Sequence, residues 1–504
     1  MPGKGSVITI GQTGGQTLSP EVATASPSAH PGAPQCGTHS RHAVGAAYVL
    51  VAAVLVVLAA DTYRISFVYI DNFRILERVN RTSWRALASD TADLGEIYRP
   101  LNLILTKAVF EIRGADFFVY RTAHLITLVV LLLGWLKACD PRTWRDVMSF
   151  AIATGCLLGL HTTRFLFHGV PLNPYTIVCA VAVWAFVLAR RPAGRAAHVW
   201  PPLLTTIALL TLEVGLVVPL MLLVAYYVGW RGASAAGVAA AALVVGVYVA
   251  ARAALISELG SSPFYTETGF WLGVIDVPTQ ERLFGAFPIL FYGYNAASTL
   301  LTVLASEPRG GIFELVGRIL QGGSGPAPWQ WINVITSLAT SAFVMWAVPR
   351  LPSRGRREIA VACAGIIGNA CLGFLYARDR IPSLAGVLYA LCVYVALASV
   401  IVRIASGRSL LVRSMAALSV LVLATGWTLR CVATQFALRD AAWLAPQEWA
   451  ARTITVSASS SDDEMAEAKL FIEMKKEAMA RSAPDPREDP LWTHQWLERD
   501  GALR

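Results

Sequence analysis

Apolar residues in this chain fall into long runs of about 20 residues, separated by short polar segments. The hydrocarbon core of a bilayer is about 30 Å thick, and a helix needs about 20 apolar residues to cross it. The pattern therefore predicts an all-α polytopic membrane protein. We predict about eleven transmembrane helices, near residues 43–60, 117–137, 145–163, 171–189, 201–229, 235–256, 284–304, 329–348, 359–376, 384–402 and 410–430.

The run at 201–229 admits two interpretations. It is long enough for one tilted span, or for two short half-spans broken around Glu213. A break would invert the sidedness of residues 230–304, and a later segment would then have to lie at the membrane interface to restore parity. The sequence leaves both options open.

Three stretches lie outside this membrane domain of residues 42–430. Residues 1–41 are rich in Gly, Ser, Thr and Pro, a composition that predicts a disordered amino-terminal arm. Residues 61–116 form the longest connection between spans, and we predict a first outer loop with amphipathic juxtamembrane helices. Residues 431–504 form a small acidic segment, with 9 Lys and Arg against 13 Asp and Glu. There the sequence from Ser461 predicts a capped helix near 462–481.

Composition and charge support a membrane location. Hydrophobic residues make up 55% of the chain and charged residues 15%, whereas soluble globular chains are about one quarter charged. The net charge is +9, and arginine clusters follow the fourth, eighth and tenth predicted spans. Because Lys and Arg accumulate in cytoplasmic loops, we predict an inside amino terminus and an outside carboxyl-terminal segment. The bias toward Ala, Val, Arg and Gly suggests a bacterial inner (plasma) membrane.

The residue composition and spacing also argue against several kinds of site. The eight cysteines form no CxxC pair and no Cys/His cluster with zinc spacing, so we expect no metal site and no disulfide framework. A nucleic-acid surface needs a basic stripe on a soluble face, and none is visible in the sequence. We therefore expect no nucleic-acid partner.

The first outer loop carries the residues with candidate chemistry. Asp71 lies just beyond the first span, where a solvated interfacial charge is the ordinary interpretation of an acidic residue. Further along the loop, Glu96, Tyr98 and Arg99 precede Pro100. Proline is well tolerated in the first turn of a helix, so Arg99 is expected at a helix amino terminus, where anions gather.

These segments resemble the GT-C superfamily of integral-membrane glycosyltransferases, and most of all its O-mannosyltransferase-like branch with bacterial relatives. The first span in that branch is followed by an acidic pair, a short "I-x-x-N" run and "Y-R-P-L" at the start of an amphipathic helix. The segments that carry the resemblance are Asp71-Asn72, Ile75 to Asn80, Tyr98-Arg99-Pro100-Leu101, Thr154 to Arg164, Leu209 to Leu220 and Ala377 to Ser383.

The resemblance implies an inverting glycosyltransferase. Such an enzyme moves a sugar, hexosyl or pentosyl, from a polyprenyl-phosphate carrier to an acceptor on the outer face of the membrane. A phosphate leaving group departs as an anion, so the reaction needs one base and cations that hold the developing charge. We predict Asp71 as the base. The predicted phosphate ligands are Arg99, Arg378 and Arg380, with Glu96, Tyr98 and Glu213 as possible support. The lipid-linked sugar is the substrate, and no cofactor is required.

Other functions remain open at this point. A transporter or flippase of lipid-linked sugars would carry paired broken helices with ionisable residues near the midplane, and the sequence offers one break, at Glu213. A polymerase or ligase of surface polysaccharide would place its functional outer loop late in the chain, near 305–328. A non-catalytic membrane scaffold is the remaining option. The acceptor, whether glycan, lipid or protein, is not identified by the sequence.

Overall fold

The structure is a computed structural model of the 504-residue chain. It describes residues 41–66, 69–89, 99–168, 172–192, 194–258, 268–270, 273–275, 277–285, 289–306, 316, 319–320, 328–374, 380–406, 410–454 and 461–481. The predicted arm 1–41 therefore lies almost wholly outside the described residues.

Helices dominate the described part of the chain. The first half contains α1 (Arg41–Thr62), α2 (Tyr69–Arg81), α3 (Trp84–Ser89), α4 (Pro100–Arg113), α5 (Phe117–Cys139), α6 (Trp144–Gly159), α7 (Phe165–His168), α8 (Pro174–Arg190), α9 (Ala196–Thr211), α10 (Val217–Tyr227) and α11 (Ala235–Glu258). A short antiparallel hairpin follows, formed by β1 (Thr268–Phe270) and β2 (Gly273–Ile275). The second half contains α12 (Val277–Phe284), α13 (Ile289–Leu304), α14 (Pro328–Ala347), α15 (Ser353–Leu372), α16 (Ser383–Ser406), α17 (Leu410–Ala450) and α18 (Asp462–Ala480).

Six of the described helices are long and apolar enough to cross a membrane, so the chain is an integral membrane protein. They lie in α1, α5, α11, α14, α16 and α17. A seventh crossing is obtained if α6 and the segment His161–Phe167, which are bent by 70° at a short break, form one span. Four further apolar helices are shorter than 18 residues. The predicted number of eleven spans is therefore not confirmed by helix length.

The run at 201–229 is broken at Glu213, the second of its two interpretations. The chain turns back there, because α10 ends beside the carboxyl end of α8, where the backbone N–H of Gly232 donates to the carbonyl of Ala189 at 3.0 Å. Helix α11 then starts beside the start of α9, where the Ser234 hydroxyl donates to the Ala197 carbonyl at 2.9 Å. Thus α9 and α11 run in the same direction, with α10 antiparallel to both.

Helix α13 has 16 residues, fewer than the roughly 20 that a helix needs to cross a bilayer. Near its middle, the Asn295 amide donates to the carbonyl of Phe374, just beyond the end of α15, at 2.9 Å. At its end, the Leu304 carbonyl accepts from the Ser341 hydroxyl in the body of α14 at 2.8 Å. The turn between α14 and α15 therefore lies well beyond α13.

The main apolar core lies around α16, the most buried of the candidate spans. Helices α6, α8, α14 and α15 pack against it. The Ser383 hydroxyl at its start donates to the Thr162 carbonyl at 2.7 Å, which ties α16 to the bend after α6. This core joins helices from both halves of the chain into one bundle.

A second, smaller apolar cluster lies at the end of the bundle that carries the first outer loop. Helices α2, α3 and α4 contribute Leu76, Val79, Leu87 and Leu103, and the start of α5 contributes Phe117. The carboxyl-terminal segment completes the cluster with residues of α17 and α18. The first loop and the carboxyl-terminal segment thus share one end of the bundle.

Candidate functional site

The break after α9 places a carboxylate inside an otherwise apolar region. Leu212 has extended backbone angles (φ −163°, ψ 145°), which end α9, and Glu213 opens a 3₁₀ turn, Glu213–Leu216, that leads into α10. The turn approaches α9 so closely that a Cβ atom at Gly215 would overlap the carbonyl group of Ala208. Glycine at this position therefore allows the chain to reverse and leaves Glu213 at the end of the helical hairpin.

Arg99 reaches this carboxylate from the first outer loop. It is the residue before α4, and Pro100 occupies the first turn of that helix, as the sequence predicts. Its Nε and Nη2 atoms donate to Oε2 of Glu213 at 3.1 and 2.9 Å. The two residues are 114 positions apart, so the contact joins the outer loop to the break in the helical hairpin.

Arg252, on α11, binds the other oxygen of the same carboxylate. Its Nη1 atom lies 3.2 Å from Oε1 of Glu213 and 3.2 Å from the hydroxyl of Tyr248, one turn earlier on α11. Each carboxylate oxygen of Glu213 is therefore paired with a different guanidinium. The side chains of Arg99, Glu213 and Arg252 are 24%, 22% and 17% exposed.

The three side chains of the Arg99–Glu213–Arg252 cluster carry a summed formal charge of +1, and both arginines have further interactions with other groups of the protein. A guanidinium offers five N–H donors in a planar fork. The carboxylate holds two such forks beside each other where water has only partial access, and electrostatic attraction is stronger there than in bulk water. This arrangement suits an anion with several oxygen atoms, such as a phosphate.

Most of the other predicted site residues lie wholly or partly outside the described residues. Asp71 lies in α2, two residues from its start, and its side chain is outside the described residues. Glu96, Tyr98 and Arg378 also fall outside the described residues. Of the predicted set, the structure brings Arg99 and Glu213 into direct contact.

Arg380 belongs to the same end of the bundle through other contacts. Its carbonyl accepts a hydrogen bond from the Ser383 hydroxyl at 2.6 Å. The carbonyl of Ile381 accepts from the Asn369 amide at 3.1 Å, near the end of α15. One residue before Asn369, Gly368 packs against Leu220 of α10, two turns from Glu213. The late loop and the Arg99–Glu213–Arg252 cluster are therefore neighbours at one level of the bundle.

Sequence reasoning missed Arg252. The residue lies inside the run 235–256, which was predicted only as an apolar span. The available signal was the arginine itself, since a charged residue within a membrane helix is costly and usually has a specific partner. That partner, Glu213, is 39 residues away, a separation at which sequence spacing gives no indication of contact.

Comparisons with known proteins place few constraints on the chain. No family model matches it, and no curated protein matches it. The crystal structure of ArnT from Cupriavidus metallidurans bound to undecaprenyl phosphate is 14% identical and covers 88% of this chain and 90% of its own, with a TM-score of 0.44. The apo crystal structure of that protein is 17% identical over the same shares, with a TM-score of 0.33. At these TM-scores, the similarity to either structure supports no conclusion about the fold or function of this chain.

Proposed function

We propose that this protein is an inverting glycosyltransferase that moves a sugar from a polyprenyl-phosphate carrier to an acceptor on the outer face of a bacterial inner membrane. The observation that carries the proposal is the Arg99–Glu213–Arg252 cluster. Three segments that are remote in sequence bring two guanidiniums and one carboxylate together at the end of the bundle that holds the first outer loop. Ionisable groups that are partly buried among apolar membrane helices are expensive, and they usually mark a functional site.

In the proposed reaction, the phosphate of the lipid-linked sugar binds against Arg99 and Arg252. Glu213 holds the two guanidiniums in place and limits their mutual repulsion. As the bond between the sugar and the phosphate breaks, the negative charge that develops on the phosphate is stabilised by donors that are already oriented. Arg378 and Arg380 would add positive charge from the late loop.

The second requirement is a base for the acceptor hydroxyl. Asp71 is our proposal, because α2 carries it at the end of the bundle where Arg99 and Glu213 meet. The hydroxyl oxygen attacks the anomeric carbon on the face opposite the phosphate, the proton passes to the carboxylate, and the polyprenyl phosphate departs. One displacement inverts the anomeric configuration. Glu96 and Tyr98 are proposed as supporting residues beside Arg99.

Of the resemblance noted in the sequence, the proposal retains the GT-C superfamily and leaves out the branch. Comparisons give no support to the O-mannosyltransferase-like branch. The proposal therefore specifies a lipid-phosphate donor and leaves the sugar as a hexose or a pentose. The acceptor is a glycan, a lipid or a protein.

The experiment that tests this function measures the product common to all such donors. Purified protein in proteoliposomes receives polyprenyl-phosphate esters of one hexose and of one pentose, and release of polyprenyl phosphate is followed with extracted membranes as the acceptor source. Binding of undecaprenyl phosphate alone is measured in parallel. We expect Arg252→Gln to weaken that binding roughly tenfold or more, as loss of a charge-assisted contact does. Arg142→Gln, which alters an exposed ion pair with Asp140 at the opposite end of the bundle, should leave it unchanged.

Two results would reject the proposal. One is binding of undecaprenyl phosphate that is equal in wild type, Arg252→Gln and Arg142→Gln. The other is the absence of donor turnover with every acceptor extract.

A lipid-linked sugar flippase is the second candidate, and one observation favours it. Among the described residues, two helix breaks lie at one end of the bundle, the 70° bend after α6 and the reversal at Glu213, and transporters commonly use broken helices. Movement of a fluorescent lipid-linked sugar between leaflets without release of polyprenyl phosphate would favour this candidate. The late loop considered for a polymerase, 305–328, lies mostly outside the described residues.

A further inference from the structure

The carboxyl-terminal helix α18 packs directly on α2, the helix that carries Asp71. Phe73 of α2 makes edge-to-face contacts with Trp449 of α17 and Phe471 of α18, with ring centroids 6.2 and 5.7 Å apart. Trp449 and Phe471 also contact each other at 5.4 Å. All three rings are buried. Phe73 lies two residues beyond Asp71, so these rings hold the backbone of α2 beside the proposed base.

The contact continues along the whole length of α2. Phe73, Glu77 and Arg81 follow one another at intervals of four residues and so share one face of the helix. Arg81 forms ion pairs with Glu467 of α18 at 2.6 Å and with Glu77 at 3.2 Å. Glu467 and Phe471 are likewise four residues apart on α18. The two helices therefore meet through an aromatic contact at one end of α2 and an ion pair at the other.

Helix α2 depends on such contacts for its position. It has 13 residues, and an isolated helix of that length is only marginally stable in water. On its other side, α4 holds it through the Lys107 ammonium, which donates to the Val79 carbonyl at 2.9 Å. Arg99 directly precedes the same α4, so one short helix connects α2 to the Arg99–Glu213–Arg252 cluster.

We propose that α18 is a clasp that fixes α2, and with it the backbone at Asp71, in the position needed for reaction. Trp449 and Phe471 are then positioning residues, since they act through α2. Group transfer is sensitive to displacements of about 1 Å, so loss of the clasp slows turnover. The phosphate ligands Arg99 and Arg252 stay in place, because Glu213 holds both. The inference rests on the proposed function for its effect on turnover, but not for its effect on α2.

The test compares neighbouring positions on α18 in the full-length protein. Phe471 is 3% exposed and faces α2, whereas Ile472 is 59% exposed, so Phe471→Ala is the test variant and Ile472→Ala the matched control. Hydrogen exchange of the α2 amides is measured together with binding of undecaprenyl phosphate and turnover of the lipid-linked sugar. In Phe471→Ala we expect exchange at α2 to rise roughly tenfold or more. Its kcat should fall, while undecaprenyl phosphate binding and donor KM stay near wild type. Ile472→Ala should behave as wild type.

Phe471→Leu serves as the conservative variant, because it retains apolar volume, and it should recover most of the lost turnover. If Phe471→Ala does not fold, Glu467→Gln replaces it as the test variant, because it removes the ion pair between α18 and Arg81 of α2. Unchanged exchange at α2 in the test variant would overturn the clasp. Faster exchange at α2 with unchanged kcat would overturn its positioning role. A wild-type protein that neither binds undecaprenyl phosphate nor turns over a donor rejects the proposed function, while the exchange measurement still decides whether α18 fixes α2.

Discussion

Glu213 is the residue on which the geometry of the site depends. It accepts hydrogen bonds from Arg99 and Arg252 through different oxygens, so it both neutralises one guanidinium and separates two like charges. Removing one partner from a partly buried ionic group costs more than forming the group contributes, because the remaining charges lose their counter-ion. Glu213 therefore contributes to the stability of both arginines in this position.

A Glu213→Gln variant tests this dependence. We expect its stability to fall by roughly 1–3 kcal/mol, since the three side chains are partly exposed and lose one full negative charge. Undecaprenyl phosphate should restore more thermal stability to this variant than to wild type, because its phosphate replaces the missing anion. The measurement is the unfolding midpoint with and without the lipid.

A similar cluster at the other end of the bundle provides the control. Glu358 accepts from Arg354 at 3.1 Å and lies 3.5 Å from Arg190. Glu358→Gln should also lose stability, but undecaprenyl phosphate should not restore it selectively. Equal recovery in both variants would show that the lipid stabilises the fold without binding the Arg99–Glu213–Arg252 cluster.

Glu77 gives the contact between α2 and α18 a pH dependence. Burial raises the pKa of Glu77 above its ordinary value of 4.5, and Glu467 raises it further, while Arg81 and Arg74 oppose the shift. A carboxyl group with a raised pKa binds its proton more tightly in the folded protein than in the unfolded chain. Stability is therefore gained as the pH falls through the raised pKa and lost as the pH rises through it.

We accordingly expect the unfolding midpoint to decrease as the pH rises from about 4.5 through the raised pKa of Glu77. Glu77→Gln should flatten the pH profile over that interval, because it leaves nothing to titrate at this position. Glu473→Gln, at an exposed position on α18, should retain the wild-type profile. Profiles of the same slope in all three proteins would exclude Glu77 as the source.

At the scale of single elements, the reversal between α9 and α10 is the unusual feature of the fold. Both helices are short, with 16 and 11 residues, and their hairpin depends on the close approach of Gly215 to Ala208. Backbone atoms cannot move aside as a flexible side chain can. A methyl group at Gly215 must therefore push the turn away from α9 and displace Glu213.

Gly215→Ala should consequently lower stability by roughly 2 kcal/mol or more, and it should weaken undecaprenyl phosphate binding at the same time. Gly246→Ala is the matched control, because a Cβ atom there meets no neighbouring atom within 4 Å. In α11 that change should be neutral or stabilising by up to about 1 kcal/mol. Thermal unfolding in one detergent compares the two, and a Gly215→Ala midpoint equal to that of Gly246→Ala would show that the turn tolerates the methyl group.

Some structural elements could be predicted from the sequence, and others could not. Apolar runs located most of the membrane helices, because the length of a run is a local property. The start of α18 is equally local, since Ser461 and Glu464, three residues apart, form its capping box. The direction of α10 could not be decided, because the sequence of 201–229 is compatible with a straight or a reversed path. The contacts of Glu213 with Arg99 and with Arg252 depend on that path, so the meeting of the three residues followed only from the structure.

At the scale of the whole molecule, the two ends of the bundle differ in chemistry. Helix α4, the Arg99–Glu213–Arg252 cluster and α18 lie at one end. The turn between α5 and α6 lies at the other end, because the Ala138 carbonyl accepts from Arg190, the residue beside Glu358. The proposed function requires the end that carries the Arg99–Glu213–Arg252 cluster to face outward, where a lipid-linked sugar meets its acceptor.

Three exposed positions report this orientation. Ile112 on α4 and Met465 on α18 lie at the first end, and Trp144 at the start of α6 lies at the other; all three are exposed. In a background without the native cysteines, we expect a membrane-impermeant maleimide to label Ile112→Cys and Met465→Cys only from the periplasmic side, and Trp144→Cys only from the cytoplasmic side. Labelling of Met465→Cys and Trp144→Cys from the same side would contradict the path of the chain. Labelling with every side reversed would leave the fold intact, but it would put the Arg99–Glu213–Arg252 cluster on the cytoplasmic face and so reject transfer to an outer acceptor.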